Sequence, residues 1–284
     1  MPKVAIITDS TASLCGDVLA ETGIRVVPLQ VIIGATSYAE GVDEGASPTR
    51  IAEALKKFTP VSTSKPTPAL MLEAYEAAIA DGATEIIAIH ISAAMSGTYD
   101  SAEVAAREAS VPVHTLDTRQ VGPATGYAAV AAAAVLDRGG SAEEAIEAAR
   151  QQAAASASLF YVDTLEYLRR GGRVGAAAAL LGGALAVKPL LRIDDGEVGT
   201  LEKVRTAGKA LGRLEDLAVE AAGDAAVEVT VAHLANPARA EHLAEKLDTR
   251  IDVTGSIRIA ELGAVLGAHV GPGMVAVCVT PAID

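Results

Sequence analysis

The sequence has few of the residues that usually form disulfides, metal sites and large aromatic cores. Tryptophan is absent, aromatic residues make up 3% of the chain, and there are two cysteines, Cys15 and Cys278. Neither cysteine belongs to a C-x-x-C motif or a cysteine–histidine cluster, so neither a disulfide framework nor a zinc site is expected. Half of the 284 residues are apolar, and the core must therefore be built from Ala, Val, Leu and Ile.

Positive charge is also scarce. The chain has 23 Lys and Arg against 36 Asp and Glu, which gives a formal net charge of −13. This balance argues against nucleic acid or an anionic membrane surface as the main partner. The apolar run Val4–Ile7 is too short for a signal peptide, and the Ala-rich run Tyr127–Leu136 is too short to cross a bilayer. A soluble, cytoplasmic protein is expected.

Phosphate-binding loops are missing from the places where nucleotide-binding folds carry them. The turn after the first apolar run, Thr8–Ser13, contains no glycine, and no G-x-x-x-x-G-K-[ST] motif occurs. Glycine is needed in such turns because the backbone must approach the phosphate closely. The glycine-rich segment Gly171–Gly175 follows a helical pattern instead of a strand. Neither a nucleotide or other cofactor nor a metal is expected.

Apolar runs typical of strands alternate with helical patterns through the first half of the chain. This alternation predicts a mostly parallel sheet flanked by helices. The pattern changes near residues 150–160, which predicts two domains of the α/β class. The N-terminal domain is expected over residues 1–155, and a smaller C-terminal domain over residues 156–284.

Proline and turn residues allow local predictions. Ile24–Ile33 is predicted to be a strand that is broken or bulged near Pro28, and residues 59–68 contain too many prolines for a central strand. Residues 262–270 are ambiguous. The other local predictions are a loop over 34–47, a helix over Ala176–Ala186, a hairpin turn at Asp194–Glu197 and a strand over Ile251–Ile259.

A turn that contains two hydroxyls, Ser96–Thr98, lies where a predicted strand, Glu85–Ile91, passes into a predicted helix, Tyr99–Ala109. Free backbone N–H groups and the positive end of the helix dipole favour an anion there. A helix cap by one of the hydroxyls is the alternative. The polar strand ends Thr8–Ser10 and Asp117-Thr118 are expected at the same edge of a parallel sheet, which favours a ligand site.

Ser96, Asp117 and His269 could supply a Ser-His-Asp set for acyl hydrolysis. The nucleophile pattern G-x-S-x-G is not met around Ser96, however. His269 lies in a glycine-rich turn, where it would be close to backbone and ligand. The remaining histidines are expected in strands or on an exposed helix face: His90, His114, His233 and His242.

A second hydroxyl cluster occupies residues 62–67. Together with His269, two hydroxyl clusters suit the binding of a carboxylate by neutral donors better than they suit catalysis. Arg169, Arg170 and Arg173 lie close together in a short helix and turn. These arginines are either a solvated face or a docking patch for an acidic partner.

Six short motifs follow one another along the chain: Thr8-Asp9-Ser10, Thr63-Ser64-x-Pro66-Thr67, Ser96-Gly97-Thr98-Tyr99, Leu165-Glu166-Tyr167-Leu168-x-x-Gly171-Gly172-Arg173, Lys188-Pro189 and Gly267-Ala268-His269-x-Gly271-Pro272-Gly273. None is specific alone, but in this order they closely resemble the DegV family, fatty-acid-binding proteins that serve bacterial fatty acid kinase. The resemblance covers about residues 3–282. The family usually has Gln and Ser where this chain has Lys65 and Thr67, and the added charge of Lys65 is expected to affect the entrance of the site.

The resemblance implies a two-domain α/β fold with a long-chain fatty acid bound in a tunnel between the domains. A separate ATP-dependent kinase subunit then converts the presented acid into an acyl phosphate, so this chain would be a carrier and not an enzyme. The residues implied to bind the carboxylate are Thr63, Ser96 and His269, and the supporting loop residues are Ser64, Gly97 and Thr98.

The resemblance also gives roles to three less specific segments. Arg169, Arg170 and Arg173 become the candidate contact with the kinase. Leu180–Val187 and Ala260–Leu266 are candidates for the tunnel wall, with ordinary core as the alternative. A monomer is the default expectation, a transient membrane contact is compatible with the resemblance, and the length and saturation of the acyl chain stay open.

Overall fold

The computed structural model of the chain describes residues 3–180 and 188–283. Its strands are β1 Val4–Asp9, β2 Arg25–Val27, β3 Gln30–Ile33, β4 Thr36–Ala39, β5 Val61–Ser64, β6 Glu85–His90, β7 Val113–Asp117, β8 Ala157–Tyr161, β9 Lys188–Asp194, β10 Glu197–Val204, β11 Val227–His233, β12 Arg258–Glu261 and β13 Val275–Pro281. Its α-helices are α1 Gly16–Thr22, α2 Pro48–Lys56, α3 Pro68–Ala80, α4 Thr98–Ala106, α5 Pro123–Asp137, α6 Ala142–Ala155, α7 Glu166–Arg170, α8 Ala207–Ala222, α9 Pro237–Asp248 and α10 Ala264–Val270. Short 3₁₀ helices occupy Ser10–Ala12, Glu44–Ala46 and Gly175–Leu180.

The described residues form two compact units that are not continuous in sequence. The first unit contains residues 3–30, 64–155 and 283, and the second contains residues 31–63, 156–180 and 188–282. The domain boundary predicted at residue 155 assigns residues 31–63 to the N-terminal domain. In the structure these residues belong to the second unit. With this segment the second unit has more residues than the first.

The first unit is built on a four-stranded sheet in the order β2-β1-β6-β7. All three strand pairs are parallel, with Ile6 opposite Ile87 and His90 opposite Asp117. Because the carboxyl ends of parallel strands meet at one edge, the polar residues that follow these strands are brought together there. The predicted parallel sheet with flanking helices is therefore confirmed, and so is the shared edge of its polar strand ends.

Alternation along the strands of this sheet distributes its side chains over two faces. Ile6 and Ile87 face a core cluster that includes the buried alanines of α5 and α6. Their neighbours Ile7 and Ile86 face a second cluster, which includes Tyr75 of α3 and buried alanines of α4. The small alanine side chains allow these helices to pack closely without aromatic bulk.

The second unit contains a six-stranded mixed sheet in the order β10-β9-β8-β13-β11-β12. Its neighbouring strands are antiparallel, except for the parallel pair β11 and β12. The hairpin turn predicted at Asp194–Glu197 is confirmed, because it joins β9 to β10. Helices α8 and α9 cover one face through buried residues such as Leu214 and Leu243.

A smaller three-stranded sheet, in the order β4-β3-β5, accompanies α2 and α10 in the second unit. Val31, Ile51 and Ala264 belong to one buried cluster that joins the strand β3 to these two helices. Residues 262–270, which were ambiguous in sequence, therefore contain the helix α10. Burial among partners decided this short segment, since seven residues carry little helical propensity of their own.

Three local predictions are wrong. Residues 34–47 are not a plain loop, because they include the strand β4 and the 3₁₀ helix Glu44–Ala46. The predicted strand Ile251–Ile259 is reduced to a single bridge between Val253 and Val227, and the regular strand β12 starts at Arg258. The described part of the predicted helix Ala176–Ala186 is 3₁₀, not α-helical.

Two predictions based on proline are confirmed. The apolar run Ile24–Ile33 is split into β2 and β3 on either side of Pro28. The proline-rich segment 59–68 contributes β5, which lies at the edge of its sheet.

Of the predicted tunnel-wall segment Leu180–Val187, residues 181–187 lie outside the described residues.

Candidate functional site

A hydrogen-bonded pair, Thr63 and His269, lies in the second unit. Thr63 Oγ1 and His269 Nε2 are 2.9 Å apart, although 206 positions separate the two residues in the chain. Thr63 is on the edge strand β5, and His269 is in the last turn of α10. Ala264 and Ala268 of this helix are buried in the same cluster as Ile51 of α2. Helix packing therefore fixes where the imidazole meets the strand.

The imidazole of His269 is enclosed by backbone at Gly171. A Cβ atom at position 171 would lie 2.1 Å from Nδ1 of His269, so any larger residue would displace the ring. Burial, and to a smaller extent the positive charge of Arg173, lower the pKa of His269 to about 4. Within residues 3–180 and 188–283, Nδ1 has no hydrogen-bond partner. The ring is consequently neutral at physiological pH, with one nitrogen facing a hydroxyl.

The helix that carries His269 is held at its other end by Glu40. The Oε1 atom of this buried carboxylate accepts a hydrogen bond of 2.8 Å from the backbone N–H of Val265. A negative charge at a helix N-terminus is favourable, because it satisfies free N–H groups and opposes the helix dipole. Sequence reasoning missed Glu40, and no local signal distinguishes it from the other acidic residues of the chain.

The three arginines of the predicted docking patch have different surroundings. Arg169 and Arg170 both pair with Glu166, at 2.7 Å, and their side chains are about half exposed. Arg173 donates a hydrogen bond of 2.7 Å to the carbonyl of Gly171. All three arginines are exposed, and Arg173 also contacts the backbone of Gly171, which encloses His269.

The Ser96–Thr98 turn belongs to the first unit and precedes α4. Ser96 Oγ lies 2.8 Å from Thr98 Oγ1 and accepts a hydrogen bond of 3.3 Å from the backbone N–H of Thr98. Gly97 is the N-cap residue, and it offers no side-chain cap. Ser96 thus satisfies one N–H at the start of the helix and remains half-buried. The helix end and the hydroxyl lie together, as an anion site requires.

Lys65 and Ser64 also lie in the first unit. The Lys65 ammonium donates a hydrogen bond of 3.1 Å to the carbonyl of Gly97. The charged residue that departs from the family pattern is therefore anchored next to the Ser96 turn. Ser64 is exposed, and its hydroxyl donates to the carbonyl of Lys65. The predicted site residues are thus distributed over both units, with Thr63 and His269 in one and Ser64 and Ser96–Thr98 in the other.

A second histidine pair, which sequence reasoning did not single out, is buried in the first unit. His90 Nδ1 lies 2.9 Å from Oδ2 of Asp9, and both side chains are fully buried. Asp9 also accepts hydrogen bonds from the backbone of Ile91 and Thr11 and from the Thr11 hydroxyl. Burial by itself raises the pKa of Asp9, but the hydrogen bonds and the charge of His90 outweigh it, so that the pKa lies below its ordinary value.

The residues proposed for acyl hydrolysis have other partners. Asp117 Oδ1 accepts hydrogen bonds from the backbone N–H groups of Ala93 and Arg119, at 3.1 and 2.8 Å. No carboxylate orients His269 in the described residues, because its Nδ1 atom is unpartnered there. A Ser-His-Asp set needs a carboxylate at that nitrogen. The geometry of His269 therefore favours a hydrogen-bonding role over a general base.

The other histidines are placed as their sequence settings indicate. His114, on the edge strand β7, pairs with Glu85 of β6 at 2.7 Å, and its side chain is partly exposed. His233 is buried, which lowers its pKa. His242 is largely exposed on α9.

Within residues 3–180 and 188–283, no group of His, Cys, Asp and Glu side chains is arranged to hold a metal ion. None of the helices found there combines the length and the apolar character needed to cross a membrane.

The chain is similar to proteins of one family over its whole length. The family described as "Uncharacterised protein, DegV family" matches residues 3–282. A DegV domain-containing protein of Streptomyces coelicolor is 49% identical over 277 residues, which cover 98% of each chain.

Two solved structures have the same fold. One is described as showing fatty acid binding of a DegV family protein from Thermus thermophilus, with a TM-score of 0.91 and 29% identity over 99% of this chain and 100% of that chain. The other is DegV, a fatty acid binding protein from Bacillus subtilis, with a TM-score of 0.90 and the same identity and coverage.

Proposed function

The chain belongs to the DegV family, and from this premise we propose that it binds a long-chain fatty acid whose carboxylate is held by Thr63, Ser96 and His269. The hydrogen bond between Thr63 and His269 is the observation that carries the proposal, because it fixes the Thr63 hydroxyl as a neutral donor. The fatty acid binding of the relatives from Thermus thermophilus and Bacillus subtilis supports the choice of ligand.

The tautomer of His269 decides which groups can face the carboxylate. A proton on the enclosed Nδ1 would be a buried donor without an acceptor, which costs about 1–3 kcal/mol. We therefore assign the proton to Nε2, which then donates to the oxygen of Thr63. In that arrangement the hydroxyl proton of Thr63 is free to donate to a carboxylate oxygen of the ligand. His269 thus contributes to holding the carboxylate through the hydroxyl of Thr63, which it orients.

Charge also favours a carboxylate at this place. Burial is the main cause of the lowered pKa of His269, and the guanidinium of Arg173 lowers it further. The same positive field attracts an anion. Because burial and this field keep His269 neutral, the Thr63–His269 pair contains no ion pair that would compete with the carboxylate of the ligand. Ser96 adds a hydroxyl next to the free N–H groups at the start of α4.

The acyl chain supplies most of the affinity in this proposal. Burial of methylene groups contributes roughly 0.8 kcal/mol each, so a long tail outweighs the few hydrogen bonds that orient the headgroup. Of the candidate wall segment Ala260–Leu266, Leu262, Ala264 and Val265 are buried. Ala264 packs in the cluster with α2, which makes it core, and the half-buried Leu266 is proposed as a tail contact.

The protein is proposed to act as a monomeric carrier in the cytoplasm that presents the acid to a separate ATP-dependent kinase. The sequence has no phosphate-binding loop that could supply ATP chemistry. Arg169 and Arg170 are half exposed and are the surface residues proposed to contact the kinase. Arg173 is proposed to serve the same contact and the carboxylate site.

Acyl hydrolysis by Ser96 and His269 is the less well supported alternative. The Nδ1 atom of His269 lacks an orienting carboxylate in the described residues, and Asp117 is occupied by backbone donors. A direct measurement distinguishes a carrier from a hydrolase. Extraction of the purified protein with organic solvent and mass spectrometry should recover a stoichiometric free fatty acid, and the protein should not turn over activated esters.

The carboxylate site is tested by variants of Thr63. Thr63→Val removes the hydroxyl and is expected to weaken fatty acid binding about 10- to 100-fold, since a hydrogen bond to a charged group contributes about 1.5–3 kcal/mol. Thr63→Ser should restore most of the affinity. Ser62→Ala is the matched control, because Ser62 is an exposed hydroxyl on the same strand. Binding is measured by titration calorimetry with a delipidated protein.

Ser96→Ala is expected to have a smaller effect in the same direction. If the Thr63 and Ser96 variants both bind normally and His269→Ala alone fails, the assignment of the carboxylate donors is wrong. If the wild-type protein carries no acid and binds none, the proposed function itself is wrong.

A further inference from the structure

The turn that follows His269 has no room for a side chain at two of its three positions. A Cβ atom at Gly271 would overlap the ring of Tyr167, and a Cβ atom at Gly273 would overlap the carboxylate of Asp163. Both glycines have positive φ angles, 75° and 90°, which larger residues rarely adopt. The backbone of the turn therefore packs directly against two side chains from the β8–α7 region of the chain.

The helix α7 contacts the region of His269 at two points. Tyr167 and Gly171 are four positions apart and lie on the same side of this short helix, where the Tyr167 carbonyl accepts a hydrogen bond of 2.9 Å from the N–H of Gly171. The backbone of Gly171 encloses the imidazole of His269, whereas the ring of Tyr167 lies against Gly271. The same ring packs on the buried cluster that includes α2 and α10. One helix thus bounds both the imidazole and the turn that follows it.

Several donors hold the carboxylate of Asp163 in place. Tyr161 donates a hydrogen bond of 2.5 Å to its Oδ1 atom. The ammonium of Lys188 lies 3.3 Å from the same oxygen and donates to the Asp163 carbonyl at 2.9 Å. Arg239 lies 3.9 Å from Oδ2, the oxygen that faces Gly273. The carboxylate is thus fixed through Oδ1, and its Oδ2 atom is held against the turn.

These contacts matter more for the position of His269 than for the stability of the unit. The side chains of Lys188 and Asp163 are 28% and 39% exposed, and ion pairs at such sites contribute little to stability. His269, however, lies in the last turn of a helix of only seven residues. Helix ends fray easily, so the orientation of this imidazole depends on what holds the turn after it.

We propose that Tyr167 and Asp163 are positioning residues for the carboxylate site. They hold the turn Gly271–Gly273, and the turn keeps the imidazole of His269 within hydrogen-bond distance of Thr63. The positioning of the imidazole stands on the geometry alone, whereas its consequence for ligand binding rests on the proposed function.

Tyr167→Leu tests the aromatic contact, because it removes the ring and keeps the apolar character of the position. Fatty acid affinity, measured by titration calorimetry with delipidated protein, should fall about tenfold, the loss expected when one hydrogen bond to a charged group is no longer aligned. The pKa of His269, measured by NMR, should rise from about 4 toward its ordinary value of 6.5, because water reaches the imidazole. Tyr167→Phe is the conservative variant, and it should restore both values.

Asp163→Ala tests the second contact and should weaken fatty acid binding about threefold. Asp163→Asn keeps the size of the side chain and an oxygen acceptor, and it should bind nearly as well as the wild-type protein. Asp194→Ala is the matched control, because it removes another partly exposed ion pair, with Arg192, at the opposite end of β9. Urea denaturation should show similar small losses of stability for the two alanine variants, whereas only Asp163→Ala should raise the pKa of His269.

Two outcomes would overturn the proposal. The first is a folded Tyr167→Leu protein in which the pKa of His269 and the fatty acid affinity are both unchanged. The second is weaker binding with a His269 pKa that stays near 4, because Tyr167 would then act on the ligand and not through the imidazole. If Tyr167→Leu does not fold, Asp163→Ala is judged by the same two outcomes.

Failure of the positioning role is distinguishable from failure of the proposed function. A pKa of His269 that rises as expected in Tyr167→Leu, together with a wild-type protein that binds no fatty acid, would support the positioning role and refute the proposed function alone.

Discussion

Two of the histidine pairs, one in each unit, differ in charge. In the first unit His90 meets the carboxylate of Asp9, which also accepts hydrogen bonds from Ile91 and Thr11. In the second unit His269 meets only the neutral hydroxyl of Thr63. The first unit thus supplies its own anion, whereas the pair in the second unit has a donor and no anion.

This difference in charge indicates which of the two polar pairs is suited to bind a ligand. A buried carboxylate that is satisfied by several donors stabilises the fold and has no remaining need for a partner. A neutral donor pair under the positive field of Arg173 is complete only when an anion is added. Both pairs contain histidine, so the residue type alone does not distinguish structure from function.

Removal of Asp9 should have the largest effect on this comparison. Asp9→Ala leaves His90 and the backbone N–H of Ile91 without their buried acceptor, and we expect the free energy of unfolding to fall by about 3–5 kcal/mol. Urea denaturation followed by circular dichroism measures this loss. Asp224→Ala, at an exposed turn of the second unit, is the control and should change stability little. A small loss for Asp9→Ala would contradict a structural role for this pair.

The second prediction concerns a variant that places a negative charge beside His269 in the second unit. Thr63→Asp should raise the pKa of His269, since an opposite charge favours the imidazolium, and should weaken fatty acid binding by about 100-fold or more through like-charge repulsion. Calorimetry measures the affinity and histidine NMR the titration. Thr63→Asn, which is similar in size but neutral, is the control. Equal affinity for the two variants would mean that the carboxylate of the ligand is not near Thr63.

The smallest predicted effect concerns the field of Arg173. Arg173→Gln should raise the pKa of His269 from about 4 toward its ordinary value of 6.5, although burial will keep it low. Histidine NMR measures the change, with His269→Gln used to assign the resonance. Fatty acid binding without kinase should weaken by a few fold. A pKa that does not move would remove Arg173 from the site.

The lowered pKa of His269 also sets the sign of a pH effect on stability. The unfolded chain binds more protons than the folded chain between about pH 4 and 6.5. Stability from this group is therefore fully present above pH 6.5 and is lost as the pH falls toward 4. His269→Gln should remove this dependence of the free energy of unfolding on pH. Arg173→Gln should raise the lower pH limit of the dependence, because it raises the pKa of His269 in the folded protein.

Much of the fold follows from local patterns. The alternation of strands and helices predicts the parallel sheet of the first unit, and Pro28 marks the break between β2 and β3. These predictions succeed because period and backbone restriction are properties of adjacent residues. The strand predicted over Ile251–Ile259 fails for the complementary reason, since an apolar run becomes a strand only where a neighbouring edge is free to pair with it.

The site was less accessible to sequence reasoning than the fold. The family resemblance brought attention to Thr63 and His269, and the structure places them 2.9 Å apart. Nothing in the sequence indicated that Glu40 would cap the helix of His269, because 225 positions separate it from its partner Val265. The burial of Asp9 beside His90 was equally invisible, although the motif Thr8-Asp9-Ser10 was noted.

The sequence by itself determined the family, the order of the elements and the hydroxyl-rich turns, because each of these is encoded in short stretches of neighbouring residues. Only the tertiary structure decided that Asp9 is an internal partner, that His269 is neutral and that the ring of Tyr167 lies against Gly271. The physical reason is that charge state and side-chain contacts depend on groups that the fold brings together from distant parts of the chain.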